Sequence, residues 1–212
     1  MTAYSIDGLP GEVTADGRAE WSWNGSTLAA AAPARTDLII DPFGRSSSGT
    51  APMARFAAPA GDFQFSARVT VDFASTFDAG VLLVWFDDAH WAKLCFEYSP
   101  TGQRLAVSVV TRGVSDDANA FDAESDVLWL RISRIDTVFA MHASRDGAQW
   151  EFVRVFRLDP PQSTEHGDAE HGDAARPQLG FLVRSPTGAG CAVRFDEIRF
   201  AAETLHDLRD GS

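Results

Sequence analysis

From Phe63 to Phe73 the chain alternates apolar and polar residues without a break: Phe63-Gln64-Phe65-Ser66-Ala67-Arg68-Val69-Thr70-Val71-Asp72-Phe73. Only an extended strand sends successive side chains to opposite faces, so a period of two over this length commits the segment to a β-strand with one buried face. Leu128 to Ile135, Leu105 to Val109 and Cys191 to Ile198 carry the same alternation. No stretch repeats its apolar residues at helical spacing over three turns. Residues 201–208 are the one place where a short helix, or a fraying end, is expected. Turn residues separate the alternating runs. Asn24-Gly25, between Trp21-Ser22-Trp23 and Thr27-Leu28-Ala29, reads as a two-residue hairpin whose residues accept positive φ. Pro100-Thr101-Gly102 and Asp146-Gly147 divide later runs. Roughly a dozen short strands broken in this way indicate an all-β sandwich or barrel of antiparallel strands.

The chain has 212 residues, which suits a single β-sandwich domain over residues 1–212; a chain of this size buries roughly 70% of its unfolded surface. With 15 Phe and 6 Trp against 2 Tyr, large aromatic plates should fill the core. The formal net charge of −12 repels nucleic acid, and no Lys/Arg cluster offsets it. Anionic membrane surfaces are disfavoured on the same ground. No apolar run approaches the roughly 20 residues of a membrane span, and no signal-type apolar stretch follows the first residues. Cys95 and Cys191 each lie in an apolar strand-like run and read as small buried hydrophobes. Cytoplasmic localisation follows as the expectation.

Residues 159–177 should form a flexible loop. Within it Glu165-His166-Gly167-Asp168-Ala169 recurs letter for letter as Glu170-His171-Gly172-Asp173-Ala174. Two His and four carboxylates in ten residues have metal-binding chemistry, but a slipped duplication extending a solvated loop is the favoured reading, and such a loop preorganises nothing. Asp87, Asp88 and His90 on one bend are a weak cation set, read first as a turn. No Gly-x-Ser-x-Gly, His-Glu-x-x-His or phosphate-cradling Gly loop is present, so neither cofactor nor metal is expected.

Several segments together resemble the DUF1349 family, an uncharacterised bacterial and fungal family whose fungal namesake is the regulation-of-enolase protein. They are Thr36-Asp37-Leu38; Asp78-Ala79-Gly80-Val81-Leu82 with Trp91-Ala92-Lys93-Leu94-Cys95-Phe96-Glu97; Ser108 to Asp116; Ser144-Arg145-Asp146-Gly147 with Trp150; and Gly180-Phe181 to Phe200. The Asp-x-Gly and Trp-x-Lys-x-x-x-Glu pair is the most specific part. The resemblance implies a concanavalin A-like jelly-roll sandwich of two antiparallel sheets. Relatives often carry a Trp directly after the Thr-Asp and Ser-Asp pairs, where this chain has Leu38 and Asp117.

The candidate site starts from Lys93, the only lysine beside seventeen arginines. A lysine retained where arginine is otherwise used marks a position that wants a compact ammonium. In a strand from Trp91 to Tyr98, residues Ala92, Leu94, Phe96 and Tyr98 share one face, and Trp91, Lys93, Cys95 and Glu97 share the other. The first set suits the space between the sheets, which puts Lys93 and Glu97 on a concave outer surface. Ser108, Arg131, Ser133, His142 and Ser144 are expected to join them there from other strands. An aromatic ring, cations, hydroxyls and a carboxylate are what a sugar's ring and hydroxyls require. A cross-strand ion-pair lattice is the structural alternative, worth about 1 kcal/mol or less per pair. Asp37 and Asp78, at strand edges, read first as turn and cap residues and second as ligand contacts.

The function expected is a non-catalytic module that takes a carbohydrate or similar polar small molecule on the concave sheet. A regulatory protein-interaction module is the alternative that the namesake's title suggests. A glycoside hydrolase-like enzyme with acids from separate strands is the third reading, because the usual Glu-x-Asp-x-x-Glu of glucanases with this fold is missing. An uncovered edge strand offers a route to a homodimer.

Overall fold

A computed structural model of the chain describes residues 1–160 and 176–212. Two sheets carry the fold. The eight-stranded sheet runs in the order β1 (Thr2–Tyr4), β2 (Val13–Ala15), β7 (Met53–Ala57), β16 (Gln178–Arg184), β9 (Ala79–Asp87), β10 (His90–Tyr98), β11 (Arg104–Arg112) and β12 (Ser115–Asp122). The seven-stranded sheet runs β15 (Glu151–Arg157), β14 (Val138–Ser144), β13 (Val127–Ile135), β8 (Phe63–Val71), β17 (Gly190–Ala201), β4 (Thr27–Pro33) and β3 (Trp21–Trp23). A separate hairpin pairs β5 (Leu38–Ile40) with β6 (Ser47–Gly49). Every strand pairing is antiparallel, and no helix occurs among the described residues, including residues 201–208. The sandwich of two antiparallel sheets is the architecture expected from the period-two pattern.

The alternating runs form strands where the pattern places them. In β8 the odd positions Phe63, Phe65, Ala67, Val69 and Val71 are buried in the shared core, while Gln64, Ser66 and Arg68 lie half-exposed on the outer face. Leu128, Leu130 and Ile132 of β13 and Phe139, Met141 and Ala143 of β14 enter the same core. Opposite them come Ala92, Leu94 and Phe96 of β10 with Phe181 of β16. Aromatic rings knit the layers: Phe65 meets Phe181 edge-on at 5.4 Å between centroids, and Phe181 meets Phe195 at 4.9 Å. The turn at Asn24 differs in detail from the expected one. Asn24 N–H donates to Thr27 C=O at 3.3 Å, so Gly25, at φ 94°, and Ser26 are the central pair. The Asn24 carboxamide oxygen accepts from the N–H groups of Ser26 and Thr27.

A β-bulge breaks the register of β17 between Asp196 and Arg199, where Glu197 takes a φ of 46°. The extra residue exchanges faces: Phe195 and Phe200 both turn inward, and Arg199 turns outward opposite Ser66.

The middle of the eight-stranded sheet, from β9 to β11, is covered on both sides. Residues Ala79–Val84 of β9, Trp91–Glu97 of β10 and Leu105–Thr111 of β11 are buried without interruption. Their outward residues Ala79, Val81, Leu83, Trp91, Cys95, Leu105, Val107 and Val109 form a second apolar cluster with Leu38 of β5, Ala51, Met53 and Leu182. The β5–β6 hairpin therefore covers the surface on which an open groove was expected. Near-continuous apolar sequence is the signature of strands enclosed on both faces. The repeat of Glu165 to Ala174 lies outside the described residues.

Candidate ligand site and a buried charge network

The parity assigned to Trp91, Lys93, Cys95 and Glu97 holds, but these residues do not line open space. Lys93 is 0% exposed. Its Nζ donates to the Leu38 carbonyl at 2.5 Å, lies 3.9 Å from an Asp37 carboxylate oxygen and sits 5.5 Å from the Trp91 ring centre. Lys93 and Glu97 are four residues apart along one strand, a separation of about 13 Å at 3.3 Å per residue. Arg184, at the end of β16, closes that gap. Its Nη1 donates to Asp37 at 2.7 Å and its Nη2 to Glu97. The sequence reading missed Arg184; a charged residue ending the apolar run Leu179 to Val183 was the available signal.

Burial and mutual charge set the protonation of this network. Burial alone would raise the Asp37 carboxyl, but Arg184 and Lys93, with hydrogen bonds from Arg184 and the Leu38 N–H, hold it below the usual carboxylate range. Burial drives the Lys93 ammonium down, and the positive Arg184 adds to that, against Cys95, Asp37 and Glu97. Burial also opposes the Arg184 charge, yet Glu97 and Asp37 outweigh it and raise its pKa. Every charged head therefore has a partner. The network ties the hairpin to the sheet.

Asp78 is fully buried in a turn role. Its Oδ2 accepts from the N–H groups of Ala74 and Ser75 at 2.9 and 2.8 Å, and its Oδ1 accepts from the Ser185 hydroxyl at 2.6 Å. Ser108 does not share a face with Lys93. It stands opposite Leu94, whose side chain enters the inter-sheet core. Arg131, Ser133, His142 and Ser144 belong to the seven-stranded sheet and face away from the shared core. The expectation that they gather with Lys93 is corrected: parity gave each side chain a face, but not which of two sheets carried it. Asp87 and His90 form a turn pair at 2.9 Å, and no cluster of metal-ligating side chains occurs among the described residues.

The outer face of the seven-stranded sheet holds a different constellation. One row across it reads Arg199, Ser66, Arg131, His142 and Phe152 in β17, β8, β13, β14 and β15. Beside it opens a cavity of about 450 Å³ lined by Gln64, Ser66, Arg131, Trp150, Arg199 and Phe200 among others. The Arg131 guanidinium stacks over the Trp150 ring at 4.2 Å, and its Nη1 reaches Gln64 Oε1 at 3.3 Å. Its Nη2 donates to the Gly211 carbonyl, and His142 Nε2 donates to the Leu208 carbonyl at 2.9 Å, so residues 208–211 lie over Arg131 and His142. Gly211 has φ 76°, and a Cβ there would lie 2.9 Å from Trp150 Cβ and 3.1 Å from His142 Cδ2. Burial without a neighbouring carboxylate lowers the Arg131 pKa to about 10, which leaves it cationic at neutral pH. Burial likewise lowers the His142 pKa, with Arg131 assisting, against the Leu208 hydrogen bond and Asp210. The Nε of Arg131, the Nδ1 of His142 and the Ser133 hydroxyl are buried without a partner among the described residues.

Known structures share this fold. A functionally unknown protein from Saccharomyces cerevisiae superposes with a TM-score of 0.76 at 22% identity, over 90% of this chain and 96% of that one. The GH43 protein BlXynB from Bacillus licheniformis matches with a TM-score of 0.65 at 15% identity, over 87% of this chain but only 35% of its own. Carbohydrate-binding module CBM66 from Bacillus subtilis matches with a TM-score of 0.51 at 13% identity, over 86% of this chain and 91% of that one. At these identities the likeness is one of fold. Among curated proteins nothing matches the chain. In sequence, residues 17–203 match the model for DUF1349, described as a protein of unknown function.

Proposed function

This chain belongs to the DUF1349 family of proteins of unknown function, and from that premise we propose that it is a non-catalytic module binding a carbohydrate or similar polar small molecule in the cavity beside Trp150 and Arg131. What carries the reading is one juxtaposition: a half-buried indole, a guanidinium, the Gln64 amide and the Ser66 hydroxyl around about 450 Å³. That volume lies in the range of small-molecule sites, roughly 300–1,000 Å³. Indole supplies a flat apolar surface for the C–H face of a sugar ring. Gln64, whose Oε1 accepts from Arg131, keeps its amide N–H groups to donate. The likeness to a carbohydrate-binding module supports the reading through fold alone.

Hydrolysis draws less support. A glycosidase holds one carboxyl protonated to act as general acid. Asp37 and Glu97 share Arg184 instead, and Asp37 is driven toward ionisation. The test is titration of the protein with a neutral and acidic oligosaccharide panel, read by tryptophan fluorescence and calorimetry. Trp150→Ala should weaken the binding at least tenfold while leaving the far-ultraviolet spectrum unchanged. Binding that survives Trp150→Ala, or no binding at millimolar oligosaccharide, ends the proposal.

A further inference from the structure

Two arginines are almost wholly buried, and they are treated in opposite ways. Arg184, 6% exposed, is gripped by two carboxylates. Arg131, 7% exposed, has no carboxylate within ion-pair reach among the described residues. Its hydrogen-bond acceptors are a carboxamide and a main-chain carbonyl, both neutral. The Nε of either arginine is buried without a partner among the described residues, so the difference between them lies in the acceptors at Nη1 and Nη2. A chain with a net charge of −12 does not lack acids to place there. Withdrawing a cation from water without a counter-charge is unfavourable, and folding tolerates it where something else gains.

Arg199 stands two strands away in the same row, across Ser66, about 10 Å from Arg131 by strand spacing. It lines the same cavity and has no carboxylate partner among the described residues either. One buried planar fork and one rim cation thus face a single hollow. A carboxylate accepts two parallel N–H bonds from such a fork. One buried cation balances a single negative charge. The chain's negative field disfavours a densely charged polyanion.

We infer that the ligand of this cavity carries a carboxylate on a sugar ring, the chemistry of a uronic acid. The inference rests on the binding reading above and specifies its substrate class. The ring lies against Trp150, its carboxylate meets Arg131, and Arg199 adds longer-range attraction.

The experiment titrates the intact chain with oligomers of galacturonic, glucuronic, mannuronic and guluronic acid. Each is paired with its methyl ester, which keeps the ring and removes the charge. At least one acid should bind about tenfold or more tighter than its ester, since charge-assisted hydrogen bonds are the stronger kind. Arg131→Met should erase that difference, and Arg199→Gln should weaken the acid a few-fold and flatten its salt dependence. The acid-to-ester comparison uses the unaltered protein, so it decides even if Arg131→Met fails to fold. An ester that binds as tightly as its acid, with Trp150→Ala abolishing both, overturns the carboxylate inference and leaves the binding reading standing. Absence of binding by any acid or neutral sugar overturns both.

Discussion

Lys93 donates from Nζ to the main-chain carbonyl of Leu38 at 2.5 Å, joining two residues 55 positions apart. The single lysine of the chain is thus a cross-link between β10 and the hairpin that covers it. An ammonium on a slim stem fits between Trp91 and Leu38, where a planar guanidinium would need more room. Lys93→Met, similar in length but unable to donate, leaves the Leu38 carbonyl unsatisfied. It should cost about 1–3 kcal/mol in urea unfolding. Oligosaccharide binding at the Trp150 cavity should not change. Equal stability of the two proteins would show that the cross-link contributes nothing.

Removing Arg184 should be worse. Arg184→Leu leaves Asp37 and Glu97 under the hairpin with their shared partner gone, and losing one member of a buried ion pair costs roughly 3–5 kcal/mol. Arg184→Leu combined with Glu97→Leu should recover part of that loss. A double-mutant cycle reads the coupling directly, and additive losses would contradict the network.

Asp37 makes stability depend on acid. Its folded pKa lies below the ordinary 3.8, so the unfolded chain takes up this proton first. The stabilisation is in place above about 3.8 and is lost as pH falls through the folded value. Asp37→Asn should lower stability at neutral pH and flatten its decline on the acid side. Parallel acid titration curves for the two proteins would rule out the linkage.

The two thiols predict the alkaline limb. Burial, chiefly, lifts Cys95 to about 11 and Cys191 to about 12 from an ordinary 9.0. Both stay protonated in the fold after the unfolded chain has ionised, so stability is intact below about pH 9 and erodes as pH rises toward the folded values. Neither cysteine should react with an aromatic disulfide reagent at pH 8 until denaturant is added. Prompt labelling of the native protein would refute their enclosure.

Gly80 marks a close approach between the sheets. A Cβ there would lie 2.5 Å from a Val69 methyl and 2.6 Å from a Val193 methyl, both across the sandwich. Gly80→Ala should cost about 1–3 kcal/mol through overpacking. That corresponds to a fall in Tm of roughly 2–4 °C per kcal/mol for a chain of this size. An unchanged Tm would mean that the valines give way freely.

Strands were legible wherever polar residues alternate with apolar ones. β8 and β13 announce themselves because Gln64, Ser66, Arg131 and Ser133 alternate with core residues. The face assigned to each residue from Trp91 to Glu97 was also readable, since period two is fixed by backbone geometry. What lies over that face was not readable from the strand itself. The cover comes from Leu38 and Ala51, distant in sequence, and short strands such as Leu38–Ile40 have too few residues to show a period. The low polarity of Ala79–Val84 and Trp91–Phe96 was the neglected clue. Arg131 and His142 were named as candidate ligand residues beside Lys93, but pairing rather than parity decides which sheet they decorate. The companions Trp150 and Arg199 escaped because a loop carries one and a bulge turns the other outward.

With the hairpin in place, the eight-stranded sheet becomes the middle deck of a three-tier stack along much of its width. Substitutions on that side are then graded by depth. Residues at the hairpin tip, such as the 76%-exposed Phe43, are free to drift, whereas Trp91 through Glu97 are locked by neighbours above and below. A related protein without the β5–β6 hairpin would uncover the same lysine to solvent, and so turn a girder into a recognition surface without changing a residue of the strand that bears it.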